Sequence, residues 1–180
     1  MTWNLGWISV TRVIGLAGYG ISLGICLTAF LRCSKRERSG SLFAALAAAQ
    51  LFLMLDMAFD WRWKLHAYWM QEAVTEGVYG ARRSPQLLGL VVLACLALCC
   101  AGLILMKLRH RLGAALALTG TVLSMAMWAS EAISYHYLDL ILYRKVGGAM
   151  LVSFVWIALA VVTSFGAVLD MGGRETGLTR

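Results

Sequence analysis

Five apolar runs govern what this chain can become: Trp7 to Leu31, Ser41 to Phe59, Pro85 to Met106, Leu112 to Ile133 and Ala149 to Leu169. Each is near the ~20 residues with which a helix crosses a hydrocarbon core of about 30 Å. The apolar residues run continuously rather than alternating, which disfavours the strands of a membrane barrel. Only 14% of the 180 residues are charged, well below the roughly 25% of soluble domains. These features predict an all-α integral membrane protein, a single domain over residues 1–180, built as a bundle of about five transmembrane helices. No small-residue cleavage site follows the first run, and Trp3 and Trp7 are unlike a basic n-region, so that run reads as a retained span.

A net charge of +7 in a soluble protein would suggest nucleic acid. Here the basic residues flank the apolar runs and act on orientation in the bilayer instead, so no nucleic-acid partner is expected. With five spans the termini lie on opposite sides. One side holds Arg32, Lys35, Arg36, Arg38, Lys107, Arg109, Arg111, Arg174 and Arg180; the other holds Arg62, Lys64, Arg82, Arg83, Arg144 and Lys145. The excess places the carboxyl terminus in the cytoplasm and the amino terminus outside. Compact loops fit a bacterial inner membrane.

The large aromatics are lopsided on this topology. Trp3, Trp7, Trp61, Trp63, Tyr68, Trp69, Tyr79, Tyr135, Tyr137 and Tyr143 fall at or beyond the outer boundary. Ordinary aromatic belts form at both interfaces, so one-sided enrichment points to a built feature on that side. Between spans two and three, Trp63, Ala67, Met70 and Val74 recur at helical spacing, opposite Lys64, Gln71, Glu72 and Thr75. That is the pattern of an interfacial helix, which Gly77 and Gly80 can end. Ser84 and Pro85 read as the N-cap and first residue of span three. The pattern of span four runs on towards Tyr143, until Gly147 and Gly148.

Charges inside the spans need partners, because a lone charge at mid-bilayer costs roughly 2.5–3.5 kcal/mol on insertion scales. Arg12 and Asp56 lie at similar depth in antiparallel neighbours and are expected to pair. Glu131 is left without an obvious partner. Arg12, Asp56, Glu131 and Gln50 are thus the candidates for an ion-pair or polar-ligand site. Asp60, His66, Glu131, His136 and Asp139 have suitable chemistry for a metal, and His66 with His136 for a haem. None of the diagnostic ligand spacings is present, and the cofactor stays unknown.

Cys26, Cys33, Cys95, Cys99 and Cys100 fall in the inner halves of spans one and three or at their ends, without a Cys-x-x-Cys, and read as small packing residues. Gly20 and Gly24, with Gly15 and Gly18, form a small-residue face suited to close helix contact, as do Ala44 and Ala48. Three functional classes follow. The first is a non-catalytic polytopic protein acting as a subunit or accessory factor of a membrane complex, or as a small homo-oligomer. The second is small-ligand or ion binding and transport through the polar site. The third is a metal or haem redox enzyme.

Overall fold

The computed structural model describes residues 9–33 and 37–175. Among them are seven α-helices: α1 (Val10–Cys33), α2 (Glu37–Phe59), α3 (Trp61–Thr75), α4 (Arg83–Lys107), α5 (Leu112–Ile133), α6 (His136–Leu142) and α7 (Leu151–Glu175). Five of these, all but α3 and α6, contain windows long and apolar enough to cross a bilayer. A short hairpin, β1 (Lys145–Val146) and β2 (Ala149–Met150), precedes α7.

Helices α1, α2, α5 and α7 form the core, and α4 lies against α5 at the edge. The core is made of small and medium side chains. Cys26, Ala29, Phe43, Leu46, Ala117 and Ala167 pack towards one end. Tyr19, Leu53, Met57, Val152 and Trp156 pack towards the α3 end. The closest approach is between α5 and α7. A Cβ on Gly166 would collide with the Ala117 amide nitrogen and lie 2.6 Å from the Gly113 carbonyl oxygen. One on Gly120 would lie 2.8 Å from the Thr163 nitrogen. Only glycine permits this distance, which brings the two backbones into direct van der Waals contact.

The small-residue face expected on span one is used only in part. Gly15 lies under Met57 and Trp156 and Gly18 under Ile157, whereas Gly24 faces open space. Span four does not run on to Tyr143. Its helix stops at Ile133, Ser134 takes φ 48°, and a separate helix α6 starts at His136. Gly147 and Gly148 then form the hairpin loop rather than a plain helix break. Both have positive φ, 60° and 90°, as a two-residue hairpin turn of this hand requires. α4 begins at Arg83 with no side-chain cap, so Ser84 is not the N-cap and Pro85 falls within the first turn. The backbone amides there have no helical acceptor anyway, so the proline is tolerated.

The segment between spans two and three does fold as a helix, α3, ending before Gly77 at φ 71°. Its apolar stripe lies largely on the surface of the bundle. Trp63, Met70 and Val74 are exposed, and the helix buries a single residue, Arg62. The aromatic residues do gather at this end. Trp61 stacks on Phe59, Phe52 meets Trp128 edge-on, and Trp63 leans on Tyr143. Trp3 and Trp7 lie outside the described residues.

Candidate functional site

The chain leaves α2 through Asp60, whose φ of 56° is left-handed, and turns directly into α3. This turn swings Arg62 back over the end of α2. There Asp56 Oδ1 accepts the backbone N–H of Arg62 at 2.8 Å, and Oδ2 accepts its Nε–H at 2.6 Å. The first contact satisfies one of the amides that every helix start leaves without a partner. Arg62 Nη1 donates to Glu131 Oε2 on α5, also at 2.6 Å.

One guanidinium therefore bridges two carboxylates from different helices. All three side chains are at most 3% exposed. Further contacts surround the bridge. Trp156 Nε1–H on α7 donates to Glu131 Oε1 at 2.8 Å, and the Tyr143 hydroxyl sits 3.4 Å from Glu131 Oε2. Arg62 Nη2 reaches the Met57 sulfur, and its plane lies 5.1 Å from the Trp156 ring centre. The cluster ties α2, α3, α5 and α7 together at one point. Burial, with Glu131 and Asp139 nearby, lifts the Tyr143 phenol above its ordinary value of 10.0, so it stays a donor.

A cavity of about 460 Å³ opens beside this cluster, lined by Arg12, Asp60, Arg62, Glu131, Tyr143 and Trp156 among others. Charges buried this deeply are held by short, charge-assisted bonds. The arrangement is a clamp first, and a polar ligand in the cavity would meet one edge of it.

Asp56 and Glu131 are therefore joined through an arginine that the sequence does not single out. The expected Arg12–Asp56 pair does not form; Arg12 pairs with Asp60 at the rim instead. Arg62 lies closer to Asp56 because the turn at Asp60 folds α3 back over it. Gln50 stands apart, donating to Thr121 Oγ1 at 3.2 Å. Six residues of helix, about 9 Å, separate it from Asp56.

The five metal-ligand candidates do not converge. Asp60 is with Arg12, Glu131 is in the clamp, and Asp139 accepts from Ser134 Oγ at 2.5 Å. His66, His136 and Asp139 line one cavity, and Asp60 and Glu131 line another. No three His, Cys, Asp or Glu among the described residues come close enough to share an ion. His66 lies edge-on to Trp63, and His136 to Tyr137, so each imidazole packs on a different ring.

The sequence held one signal for Arg62. Two acidic residues in spans with a single arginine between them leave a carboxylate needing a second cation. At the other end of the bundle Arg111 Nη2 reaches Asp170 Oδ2 at 3.1 Å, a pair the sequence also did not flag. No protein-family model, curated protein or solved structure matches this chain, so its function is read from this geometry.

Proposed function

We propose that the chain is a non-catalytic polytopic membrane protein that works by association, as a subunit or accessory factor of a larger membrane complex or as a small homo-oligomer. Helix α4 carries this reading. It is the most apolar of the five candidate spans, yet only 11% of its apolar window is buried, against 28–44% in the others. Exposure to lipid is not costly for an apolar helix, so coverage alone does not call for a partner. What favours one is the composition of the uncovered face. Cys95, Cys99 and Gly102 recur at helical spacing and are exposed or meet nothing. In a bilayer, helices associate where small residues let backbones approach.

Light scattering of the protein in mild detergent, with thiol cross-linking in intact membranes, tests this. A defined oligomer, cross-linked through Cys95 or Cys99, or a stoichiometric partner, is expected. A monomer that no reagent cross-links sinks the proposal. The same proposal places the protein in a bacterial inner membrane with its amino terminus outside, which reporter fusions at each terminus check.

The cavity at the clamp favours a second function, binding or passage of a small polar ligand or cation beside Arg12, Asp56 and Glu131. Flux and binding in proteoliposomes that respond to Asp56→Asn and Glu131→Gln support it. Unchanged behaviour in both variants removes it.

A further inference from the structure

Two arginines at the start of α4 are held in a way the rest of the molecule does not explain. Arg82 lies with its guanidinium 3.4 Å from the centre of the Tyr79 ring. Arg83 donates to the Tyr137 hydroxyl at 2.8 Å and sits 4.9 Å from that ring's centre. Neither makes an ion pair among the described residues. Both line a polar cavity of about 420 Å³ between α3, α4 and α6, together with His66, Gln86, Tyr135 and Asp139. Aromatic faces fix the planar forks without neutralising them. Asp139 is the cavity's one acidic group; its Oδ2 accepts from Ser134, while its buried Oδ1 has no partner among the described residues. Arg82 and Arg83 against Asp139 leave one excess positive charge among these three groups.

Two apolar hollows adjoin this cavity, one on each side of the seam between α4 and α5. On the α3 side a hollow of about 410 Å³ is lined by Leu65, Trp69, Met70, Gly89 and Ile133, and it shares His66, Arg82 and Gln86 with the polar cavity. On the α6 side a groove of about 660 Å³ runs along Leu90, Ala94, Met127, Leu138 and Ile141, sharing Tyr135 and Tyr137. The polar cavity thus sits at the end of α4, with an apolar hollow adjoining it on either flank.

We infer that this is a binding site for one glycerophospholipid, its phosphate on Arg82 and Arg83 and its two acyl chains in the flanking hollows. The guanidinium fork matches the phosphate oxygens that every glycerophospholipid carries. The paired apolar grooves match the two chains and are wasted on a soluble anion. The site needs α4 to lie in a bilayer but does not depend on what covers the Cys95 face.

The test is lipid analysis of the full chain purified in mild detergent, followed by rebinding. Native mass spectrometry is expected to find about one phospholipid per chain. In the R82Q/R83Q variant that occupancy falls about tenfold or more, because bonds to a charged acceptor are lost. Both side chains are outside the core, so the fold is kept, which the melting temperature checks. Delipidated protein should bind phosphatidylglycerol at least tenfold tighter than diacylglycerol with the same chains. Millimolar inorganic phosphate should not displace the lipid. An A94W variant, which fills the α6-side groove, should weaken lipid binding while leaving the arginines in place. Equal lipid content in wild type and R82Q/R83Q overturns the site, as does diacylglycerol binding as tightly as phosphatidylglycerol. Displacement by inorganic phosphate alone would mean a soluble anion and overturns the lipid assignment.

Discussion

The two ends of α5 are each fixed by an arginine and carboxylates, but in different ways. At its carboxyl end Glu131 joins Arg62 and Asp56 through 2.6 Å contacts, with every member buried. At its amino end Arg111 reaches Asp170 at 3.1 Å with the arginine 37% exposed. Beside that looser pair the backbones themselves do the packing, through Gly113 and Gly166. One end of the bundle is held by charge and the other by close contact. Removing a group should therefore cost far more at the first, and adding one should cost more at the second.

The largest effect is expected from R62M, which strands two buried carboxylates. Breaking a buried pair on one side costs about 3–5 kcal/mol, measured by unfolding in mixed micelles. The triple variant D56L/R62M/E131M should recover part of that loss, since it removes the stranded charges but leaves the residue-62 amide and Trp156 Nε1–H without their acceptors. If the triple variant is as unstable as R62M alone, uncompensated charge is not the cause and the contrast between the ends fails.

Next comes G166A. Its new Cβ meets backbone rather than a flexible side chain, and overpacking of this kind costs about 1–3 kcal/mol. G24A is the control, because Gly24 faces open space; it should be neutral or slightly stabilising through helix propensity. A loss in G24A matching that in G166A would show that the α5–α7 seam is not special. R111Q should cost no more than about 1 kcal/mol, as partly exposed pairs do, and its effect should shrink in high salt.

The smallest effect concerns pH. The Tyr143 phenol is raised above its ordinary 10.0, so the folded state keeps a proton that the unfolded chain gives up. Its contribution is whole below pH 10 and is lost as pH rises through the folded value. Y143F should flatten that alkaline limb in a pH series of melting curves.

The five long helices were legible because continuous apolar runs are a signal carried by every residue in them. Asp56 and Glu131 were legible for the converse reason, as charges interrupting such runs. Arg62 was not, because it lies outside the run and its role depends on one left-handed residue, Asp60, which reverses the chain. Six residues apart is no helical neighbour spacing, so periodicity could not link Arg62 to Asp56. The break at Ser134 was hidden in the same way. It depends on a non-glycine residue with φ 48°, where composition shows no turn. The glycine seam was half visible. Gly113 and Gly120 share a face of α5, but their partner Gly166 is on another helix, and sequence spacing says nothing about which helices meet.

The clamp joins members that are far apart in the order of synthesis. Arg62 lies six residues from Asp56 but 69 from Glu131. A ribosome feeding this chain into a membrane delivers the first pair almost together, so Asp56 is neutralised as the second span and α3 emerge. Glu131 arrives only after two more apolar helices have been synthesised. Until then Arg62 carries one carboxylate and awaits the other, and α3 is pinned only to α2. The bundle closes at this end when α5 is delivered, and Trp156 on the last helix seals it.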